Sequence, residues 1–334
     1  MRFPLRIVFA GTPAAAVPSL QALIDAEGHE IVAVITRPDA RVGRGRTLRP
    51  SPVAQLAESA GLPVIRAANA RTPEFLDALA ALAPEAGAVV AYGAILPQPV
   101  LDVPTHGWIN LHFSLLPAWR GASPVAAAIR HGDHLTGAST FRLEAGLDTG
   151  PVFGTVTEAI GLRDTAGEVL ERLSRSGAQL LTATLDGIAT GTVQAVPQPA
   201  DGISHFGKVV VQDARVDWTR TAVEIDRLVR SVTPEPGAWT ESRWGNLGLG
   251  PVEPMDAVLP PGALVAGKRD VGVGTATGAV RLTTVTAPGK KSVPAADWAR
   301  GARPAAAERL GTQPAETVAG AADDPTPSST EETR

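Results

Sequence analysis

The first half of the chain alternates between short apolar runs and segments whose apolar residues recur at helical spacing. The apolar runs have the length of buried strands and lie at residues 5–10, 31–36, 63–66 and 88–92. The segments with helical spacing lie at residues 17–25, 51–60 and 72–82. The last two begin at Ser51 and Thr72, residue types that cap helices. Alternating strands and helices favour right-handed βαβ units, so the sequence predicts an α/β domain on an open, mostly parallel, Rossmann-like sheet.

This alternation continues to about residue 190 and then changes. Further strands are predicted at residues 110–113, 139–143 and 152–159, and further helices at 123–129 and 165–188. We interpret residues 1–190 as one domain and residues 191–207, in which Pro and Gly are interspersed with polar residues, as a linker. A helix at 222–232 then precedes short segments that Gly or Pro interrupts every few residues. That pattern predicts a smaller C-terminal domain over residues 208–313, an OB-like β-barrel.

The last segment, residues 314–334, is rich in small, polar and acidic residues, and we expect a disordered acidic tail. The formal net charge of the chain is −4. The residues after Gly311 include five acids and one basic residue, Arg334, so they account for the whole net charge of −4. The charge before the tail therefore sums to zero, and residues 203–310 carry 14 basic against 11 acidic residues. The overall charge consequently does not exclude a nucleic-acid partner.

Composition excludes several classes of protein. The chain has no cysteine, which rules out disulfides, thiolate metal sites and cysteine nucleophiles. No apolar run approaches the length of a membrane span, and the run at residues 7–11 is too short for a signal peptide. We therefore expect a cytoplasmic protein without a membrane partner, and a monomer. No cluster of ligand residues predicts a metal site.

Three polar residues are the candidates for chemistry. Strand side chains alternate between faces, so Asn110 and His112 lie on one side of an otherwise apolar strand. Asp148 lies in a glycine-flanked turn, and it would complete a catalytic trio if that turn folds back beside His112. An amide can donate to an oxyanion, an imidazole exchanges protons near neutral pH, and a carboxylate can orient the imidazole or take a proton.

Structural roles remain the alternatives for these residues: a satisfied polar pair inside the sheet, and an Asx turn at Asp148. No nucleophile is evident in the sequence. Its absence favours direct group transfer between two bound substrates.

Residues 110–124, with Gly-Leu-Asp-Thr-Gly at 146–150, resemble the 10-formyltetrahydrofolate-dependent formyltransferases. The resemblance implies that Asn110, His112 and Asp148 are catalytic and that 10-formyltetrahydrofolate is the formyl donor. It also implies that the donor is bound by the loop after the strand, which comprises Ser114, Leu115, Leu116 and Pro117.

Other segments resemble the branch of this family that acts on initiator methionyl-tRNA, which is thereby the implied acceptor. They lie at residues 7–13, 17–20, 43–53, 90–97, 119–122, 214–218 and 288–291. Independently, the segment between Thr36 and Pro50 carries five arginines against one acid, and such a basic loop can order on RNA phosphates. A solvated surface loop is the alternative. The candidate tRNA contacts are Arg37, Arg41, Arg44, Arg46, Arg49 and Lys208.

Other functions stay open at this stage. Related formyltransferases that act on glycinamide ribonucleotide or sugar nucleotides, and formyltetrahydrofolate hydrolases, are similar around the trio, but they lack the second domain or the arginine-rich segment. Asp148-Thr149-Gly150 matches the tripeptide of aspartic proteases, which need two facing copies. An RNA-binding protein without catalysis would explain the basic loop but not the three polar residues together.

Overall fold

The computed structural model describes residues 4–26, 28–42 and 47–311. The strands of the N-terminal part are β1 (Arg6–Gly11), β2 (Glu30–Thr36), β3 (Ala40–Val42), β4 (Thr47–Arg49), β5 (Val64–Arg66), β6 (Ala86–Val90), β7 (Trp108–His112), β8 (Leu135–Arg142) and β9 (Val152–Ala159). Its helices are α1 (Val17–Asp25), α2 (Pro52–Ser59), α3 (Pro73–Ala81), α4 (Gln98–Leu101), α5 (Pro124–His131) and α6 (Ala166–Thr190).

Seven of these strands form one sheet in the order β5-β2-β1-β6-β7-β8-β9. The first five in that order pair in parallel, and β8 and β9 extend one edge in antiparallel fashion. This confirms the predicted mostly parallel α/β sheet. The strand order reverses between β1 and β6, and open sheets of this kind bind ligands at the carboxyl ends of the strands near that reversal. The strand with Asn110 and His112, β7, lies next to β6.

Helices cover both faces of this sheet, as the buried strands require. On one face α1, α2, α5 and α6 pack against side chains such as Phe9 and Leu111. On the other face α3 and α4 pack against the remaining strand positions, among them Val8 and Trp108. The sheet is therefore rigid on both sides, which fixes the position of any group at its carboxyl edge.

Helix caps agree with the sequence prediction. The Oγ of Ser51 accepts from the N–H of Ala54, and Thr72 caps α3 in the same way. The predicted helix at 165–188 is α6, and Thr165 forms a reciprocal capping box with Glu168 at its start. The predicted strand at 88–92 instead lies two residues earlier, as β6. Gly87 lies in this strand. No side chain fits at position 87, because the Trp108 ring occupies the space that it would need.

The basic segment between β2 and α2 contains a hairpin that the sequence did not predict. In it β3 and β4 pair antiparallel, with Arg41 opposite Leu48. Arg44 and Arg46 lie outside the described residues, as does the expected acidic tail at 314–334.

The C-terminal part has a core of its own. Its elements are α7 (Ala222–Ser231), β10 (Ala238–Thr240), β11 (Leu247–Leu249), β12 (Val252–Met255), β13 (Leu264–Ala266), β14 (Val271–Thr275), β15 (Gly278–Leu282), β16 (Thr284–Thr286), β17 (Val293–Pro294) and α8 (Ala295–Ala302). The strands form two antiparallel sheets, β10-β11-β16-β17 and β12-β15-β14-β13, as the short interrupted segments predicted. Both sheets contribute to one apolar cluster with α7 and α8, and α8 was not predicted.

The segment interpreted as a linker has little regular structure but makes specific contacts. Val196 exchanges two backbone hydrogen bonds of 2.8 Å with Val152 at the start of β9. Further along, the N–H of Phe206 donates to the carbonyl of Arg120 at 2.8 Å. The linker therefore lies against the N-terminal domain. In the part of the chain that the structure describes, no helix is long and apolar enough to cross a membrane.

Buried charges join the two domains. Arg230 and Asp226, both on α7 and both more than nine-tenths buried, form an ion pair of 2.8 Å. Arg230 also donates to the carbonyl of Asp164 in the N-terminal domain at 3.0 Å. Arg163 from the N-terminal domain donates to Asp226 at 2.9 Å. This network fixes the second domain beside α6.

We predict that Arg230→Met lowers the free energy of unfolding by about 3 kcal/mol, because it leaves the Asp226 carboxylate buried with one fewer cation. Urea unfolding followed by tryptophan fluorescence measures this loss. The control is Arg220→Met, whose ion pair with Glu224 is largely exposed, and no measurable loss is expected there. Equal small losses in both variants would contradict the role of the network.

Candidate active site

Strand β7 separates its polar from its apolar side chains. Ile109 and Leu111 pack into the core beneath α6, whereas Trp108 belongs to the opposite core. Alternation along the strand places Asn110 and His112 on the Trp108 side. The His112 ring is buried and meets the ring of Phe141 on β8 edge to face, with centroids 6.4 Å apart.

The loop after β7 is held by β8. The Ser139 hydroxyl donates to the carbonyl of Ser114 at 2.7 Å and accepts from the N–H of Leu116 at 3.1 Å. The Ser114 hydroxyl donates to the carbonyl of Ala118 at 2.6 Å, so this side chain is buried and used within the loop. Leu115 and Pro117 are partly exposed, and the Leu116–Pro117 peptide is cis. The side chains of Leu115 and Pro117 are thus those of the predicted folate loop that remain accessible.

A second turn brings Asp148 to the same place. Asp148 has a left-handed φ of 53°, a conformation that Asp tolerates better than most residues. A Cβ at Gly150 would lie 1.7 Å from the carbonyl oxygen of Arg142, so only glycine fits there. This close approach fixes the turn against the end of β8.

The carboxylate of Asp148 is buried and faces the histidine. Its Oδ2 accepts a hydrogen bond of 2.7 Å from the N–H of Gly121 and lies 3.9 Å from Nδ1 of His112. The structure therefore brings together His112 and Asp148, which lie 36 positions apart in sequence. Asn110 shares the strand face of His112, two residues earlier.

The hydrogen bonds of His112 determine its tautomer. Nε2 lies 2.9 Å from the carbonyl oxygen of Trp119. A carbonyl oxygen can only accept, so Nε2 carries a hydrogen, and the lone pair of the neutral ring is on Nδ1. That lone pair faces the Asp148 carboxylate across a gap longer than a hydrogen bond. Nδ1 is thus placed to receive a proton and Asp148 to stabilise the resulting cation.

Burial lowers the pKa of His112 below its ordinary value of about 6.5. The negative charge of Asp148 and the Trp119 carbonyl act in the opposite direction and raise it. Because desolvation is the largest effect, the imidazole is neutral at pH 7. This is the state that a proton acceptor needs.

Two linker residues that the sequence did not single out, Gln198 and Ser204, support this pair. Gln198 of the linker binds both the Asp148 turn and Arg120, and Ser204 accepts from the N–H of Trp119 at 2.8 Å. A Cβ at Gly121, with φ of 109°, would lie 2.4 Å from the carbonyl oxygen of Phe206, so the linker and this loop are in close contact. The prolines on both sides of Gln198 are the one signal of an ordered segment there.

The predicted RNA-contacting arginines occupy different environments. Arg37 donates to the carbonyls of Ala67 and Ala68 at 3.3 and 2.5 Å, so its guanidinium is tied to a loop of the protein. Arg41 and Arg49 are exposed on the hairpin. Lys208, directly after the linker, is also exposed. Among residues 4–26, 28–42 and 47–311, no group of three or more acidic or histidine side chains is arranged to hold a metal ion.

Comparison with known families explains this arrangement. Residues 5–185 match the model of the formyl transferase family, and residues 208–303 match the model of the formyl transferase C-terminal domain. These matches cover most of the chain, which therefore belongs to the formyl transferase family.

Curated relatives narrow the family further. The chain is 59% identical to a methionyl-tRNA formyltransferase of Thermobifida fusca over 309 residues, which are 92% of this chain and 99% of that protein. It is also 59% identical to a methionyl-tRNA formyltransferase of Saccharopolyspora erythraea, over 92% of this chain and 100% of that protein. Within the family the chain thus groups with the methionyl-tRNA formyltransferases.

Solved structures share the fold at low sequence identity. HypX from Aquifex aeolicus, crystallised with tetrahydrofolic acid, has a TM-score of 0.63 and 18% identity over 89% of this chain and 47% of its own. An N-formyltransferase from Helicobacter canadensis, complexed with folinic acid and dTDP-3-aminofucose, has a TM-score of 0.62 and 16% identity over 83% of this chain and 98% of its own. At these identities the likeness concerns the fold alone.

We predict that His112 titrates below pH 6.5 and that Asp148→Asn lowers its pKa further, because the substitution removes the charge that favours the imidazolium. NMR titration of the histidine ring signals, assigned with a His112→Gln variant, measures both values. A pKa of His112 above 6.5, or an increase in Asp148→Asn, would show that burial and Asp148 do not control the ring.

Proposed function

We propose that this protein transfers the formyl group of 10-formyltetrahydrofolate to the free amino group of initiator methionyl-tRNA. One observation carries the mechanism: a buried neutral imidazole presents its Nδ1 lone pair to a carboxylate at the carboxyl edge of the sheet. The near-complete coverage of the methionyl-tRNA formyltransferases supports the choice of acceptor.

The reaction needs proton transfer but no covalent enzyme intermediate. The methionine amine attacks the formyl carbon, and a C–N bond forms while the carbonyl oxygen becomes an oxyanion. The bond between that carbon and N10 of the folate then breaks, N10 gains a proton and the amine loses one. Acid–base help of this kind contributes about 10²–10⁴ in rate, and a donor to the oxyanion about 3–4 kcal/mol.

Each member of the trio has one role in this proposal. Asn110 donates its amide hydrogen to the oxyanion. His112 takes the proton of the attacking amine at Nδ1, and the resulting N–H donates to the oxyanion. The same proton then passes to N10 as the bond between N10 and the formyl carbon breaks, which restores the neutral ring. Asp148 orients the imidazole and stabilises its positive charge, which the buried setting would otherwise disfavour.

The donor binds where apolar side chains adjoin this pair. Leu147, directly before Asp148, and Ile95, in the loop after β6, are both more than half exposed. Leu115 and Pro117 add partly exposed apolar surface on the loop after β7. Exposed large apolar side chains beside a buried catalytic pair fit the flat ring systems of a folate. Ser114 and Leu116 belong to the same loop and stabilise its conformation through hydrogen bonds to Ala118 and Ser139.

The tRNA binds through the basic hairpin and through Lys208, the residue directly after the linker. Arg41, Arg49 and Lys208 are exposed and free to approach phosphates, and Arg44 and Arg46 belong to the same segment. The contacts of Arg37 with two carbonyls make it a support of the hairpin's base. We place the enzyme in the cytoplasm, as a monomer, where it meets its charged tRNA; light scattering tests the oligomeric state.

An acceptor panel tests the proposed reaction. Formylation of charged initiator tRNA is expected to exceed that of charged elongator tRNA, glycinamide ribonucleotide and a nucleotide-linked amino sugar by at least about a hundredfold in kcat/KM, or about 3 kcal/mol. Radioactive formyl incorporation from 10-formyltetrahydrofolate measures each rate. Preferred formylation of the ribonucleotide or the amino sugar would reject the assigned acceptor.

We predict that Arg44→Ala raises KM for the tRNA about fivefold, the equivalent of about 1 kcal/mol from a lost phosphate contact, and leaves KM for the donor unchanged. Steady-state kinetics at two salt concentrations measure this effect, and the salt dependence is expected to weaken. The matched control is Arg175→Ala on α6, an exposed arginine. A similar change in both variants would remove the hairpin from the tRNA site.

A further inference from the structure

We propose that Gln198 is a positioning residue for formyl transfer: it holds the turn of Asp148 opposite His112, so that the linker between the domains sets the catalytic geometry. The inference rests on the proposed function and goes beyond it. It assigns a catalytic duty to a segment whose sequence predicts only a connection.

The Gln198 side chain joins the two loops that form the site. Its amide nitrogen donates to the carbonyls of Asp148 and Gly150, each at 2.8 Å. Its oxygen accepts from Nη2 and Nε of Arg120, at 2.7 and 3.2 Å. Both hydrogens of the amide are used, and the oxygen receives two donors. A glutamine held by four hydrogen bonds has one orientation.

These contacts close a ring of interactions around the catalytic carboxylate. The ring runs from Gln198 to the carbonyl of Asp148, and from the Asp148 carboxylate to the N–H of Gly121 at 2.7 Å. Gly121 follows Arg120, whose guanidinium returns to Gln198. Main chain and side chain of Asp148 are therefore held from opposite ends, and removal of Gln198 opens the ring at the main-chain end.

Apart from the approach of Gly150 to Arg142 and the hydrogen bond from Gly121, the turn has mostly exposed surroundings, so its main chain depends on this hold. Glu144, Ala145, Gly146, Leu147 and Thr149 are all exposed. Asp148 itself keeps a left-handed φ, which costs free energy that its contacts must supply. Without Gln198, the carbonyls of Asp148 and Gly150 each lose the hydrogen bond from its side-chain amide. The carboxylate then keeps its hydrogen bond from Gly121 but loses the fixed main chain behind it, so we expect its position relative to His112 to shift.

The linker can exert this hold because it is fixed on both sides of Gln198. On one side Val196 exchanges two hydrogen bonds with Val152. On the other side the Ser204 hydroxyl accepts from the N–H of Trp119, whose carbonyl determines the tautomer of His112. One linker thus contacts the supports of both members of the pair.

A simpler role for Gln198 would be to satisfy the buried guanidinium of Arg120, which is only 8% exposed. Two substitutions separate the possibilities. Gln198→Glu keeps an acceptor for Arg120 but replaces the donor to the two carbonyls with a carboxylate oxygen that repels them. Gln198→Met removes both sets of contacts at similar side-chain length. The control is Gln194→Met, an exposed glutamine of the same linker.

The test is steady-state formylation of methionyl-tRNA by the full chain, with each variant's unfolding midpoint as a check on folding. Both Gln198 variants are expected to lose about 10- to 100-fold in kcat, since a misplaced catalytic group costs up to about 10² in rate, with both KM values within about threefold. Gln194→Met keeps the wild-type rate. A Gln198→Glu variant with wild-type kcat overturns the proposal, because Arg120 would then be the only group that needs Gln198.

The NMR titration of His112 supplies a second readout that a loss of stability alone does not change. In Gln198→Met, which adds no charge near the ring, the carboxylate of Asp148 is expected to move away. The pKa of His112 then falls toward the value that His112 has in the Asp148→Asn variant. An unchanged pKa together with an unchanged kcat refutes the inference. If Gln198→Met fails to fold, Gln198→Glu decides, since it leaves Arg120 paired. Wild-type protein that does not formylate methionyl-tRNA refutes the proposed function instead.

Discussion

The site depends on one hydrogen bond, from the N–H of Gly121 to the carboxylate of Asp148. This bond joins two loops that follow different strands, directly beside the His112 ring. The bond sets the carboxylate 3.9 Å from Nδ1 of His112, near enough to stabilise a proton there and too far to share one beforehand. Glycine at position 150 lets the Asp148 turn approach the end of β8, and glycine at position 121 lets the other loop approach the linker.

Burial determines the protonation state of His112. A histidine in water would be partly protonated near neutral pH, and its charge would compete with the amine for the carboxylate. In the protein, desolvation lowers the pKa of His112 and keeps the ring neutral at pH 7, the state in which it can take a proton in the proposed mechanism. The lowered pKa also affects stability. As the pH falls below about 6.5, the unfolded chain binds a proton that the folded chain resists, so this residue's contribution to stability decreases in acid.

The sequence predicted the elements better than the contacts between them. Periodicity located most of the sheet strands and the capped helices, because both signals are local. The candidate pair could also be anticipated, since strand alternation and a glycine-flanked turn are visible in the sequence, with the family resemblance linking them. By contrast, the ring through Arg120 and Gln198 joins residues 78 positions apart, and no local pattern encodes it. The shift of β6 and the hairpin of β3 and β4 likewise follow from tertiary packing and pairing.

The second domain and the linker are both held against the N-terminal domain by specific contacts. Buried charges on α7 fix the domain beside α6, and the linker that leads to it lies along the loops of Trp119 and Asp148. The surface proposed to bind tRNA and the proposed site of formyl transfer are therefore connected by a segment with specific contacts on both sides.

A double-mutant cycle on His112 and Asp148 tests the central claim most directly. Single-turnover formylation is measured for His112→Gln, Asp148→Asn and the double variant, with binding of the tRNA checked separately. If the two side chains act as one unit, the double variant is about as slow as the slower single variant, because either substitution already removes the shared function. Losses that multiply in the double variant would mean that the two residues act independently, which contradicts the account.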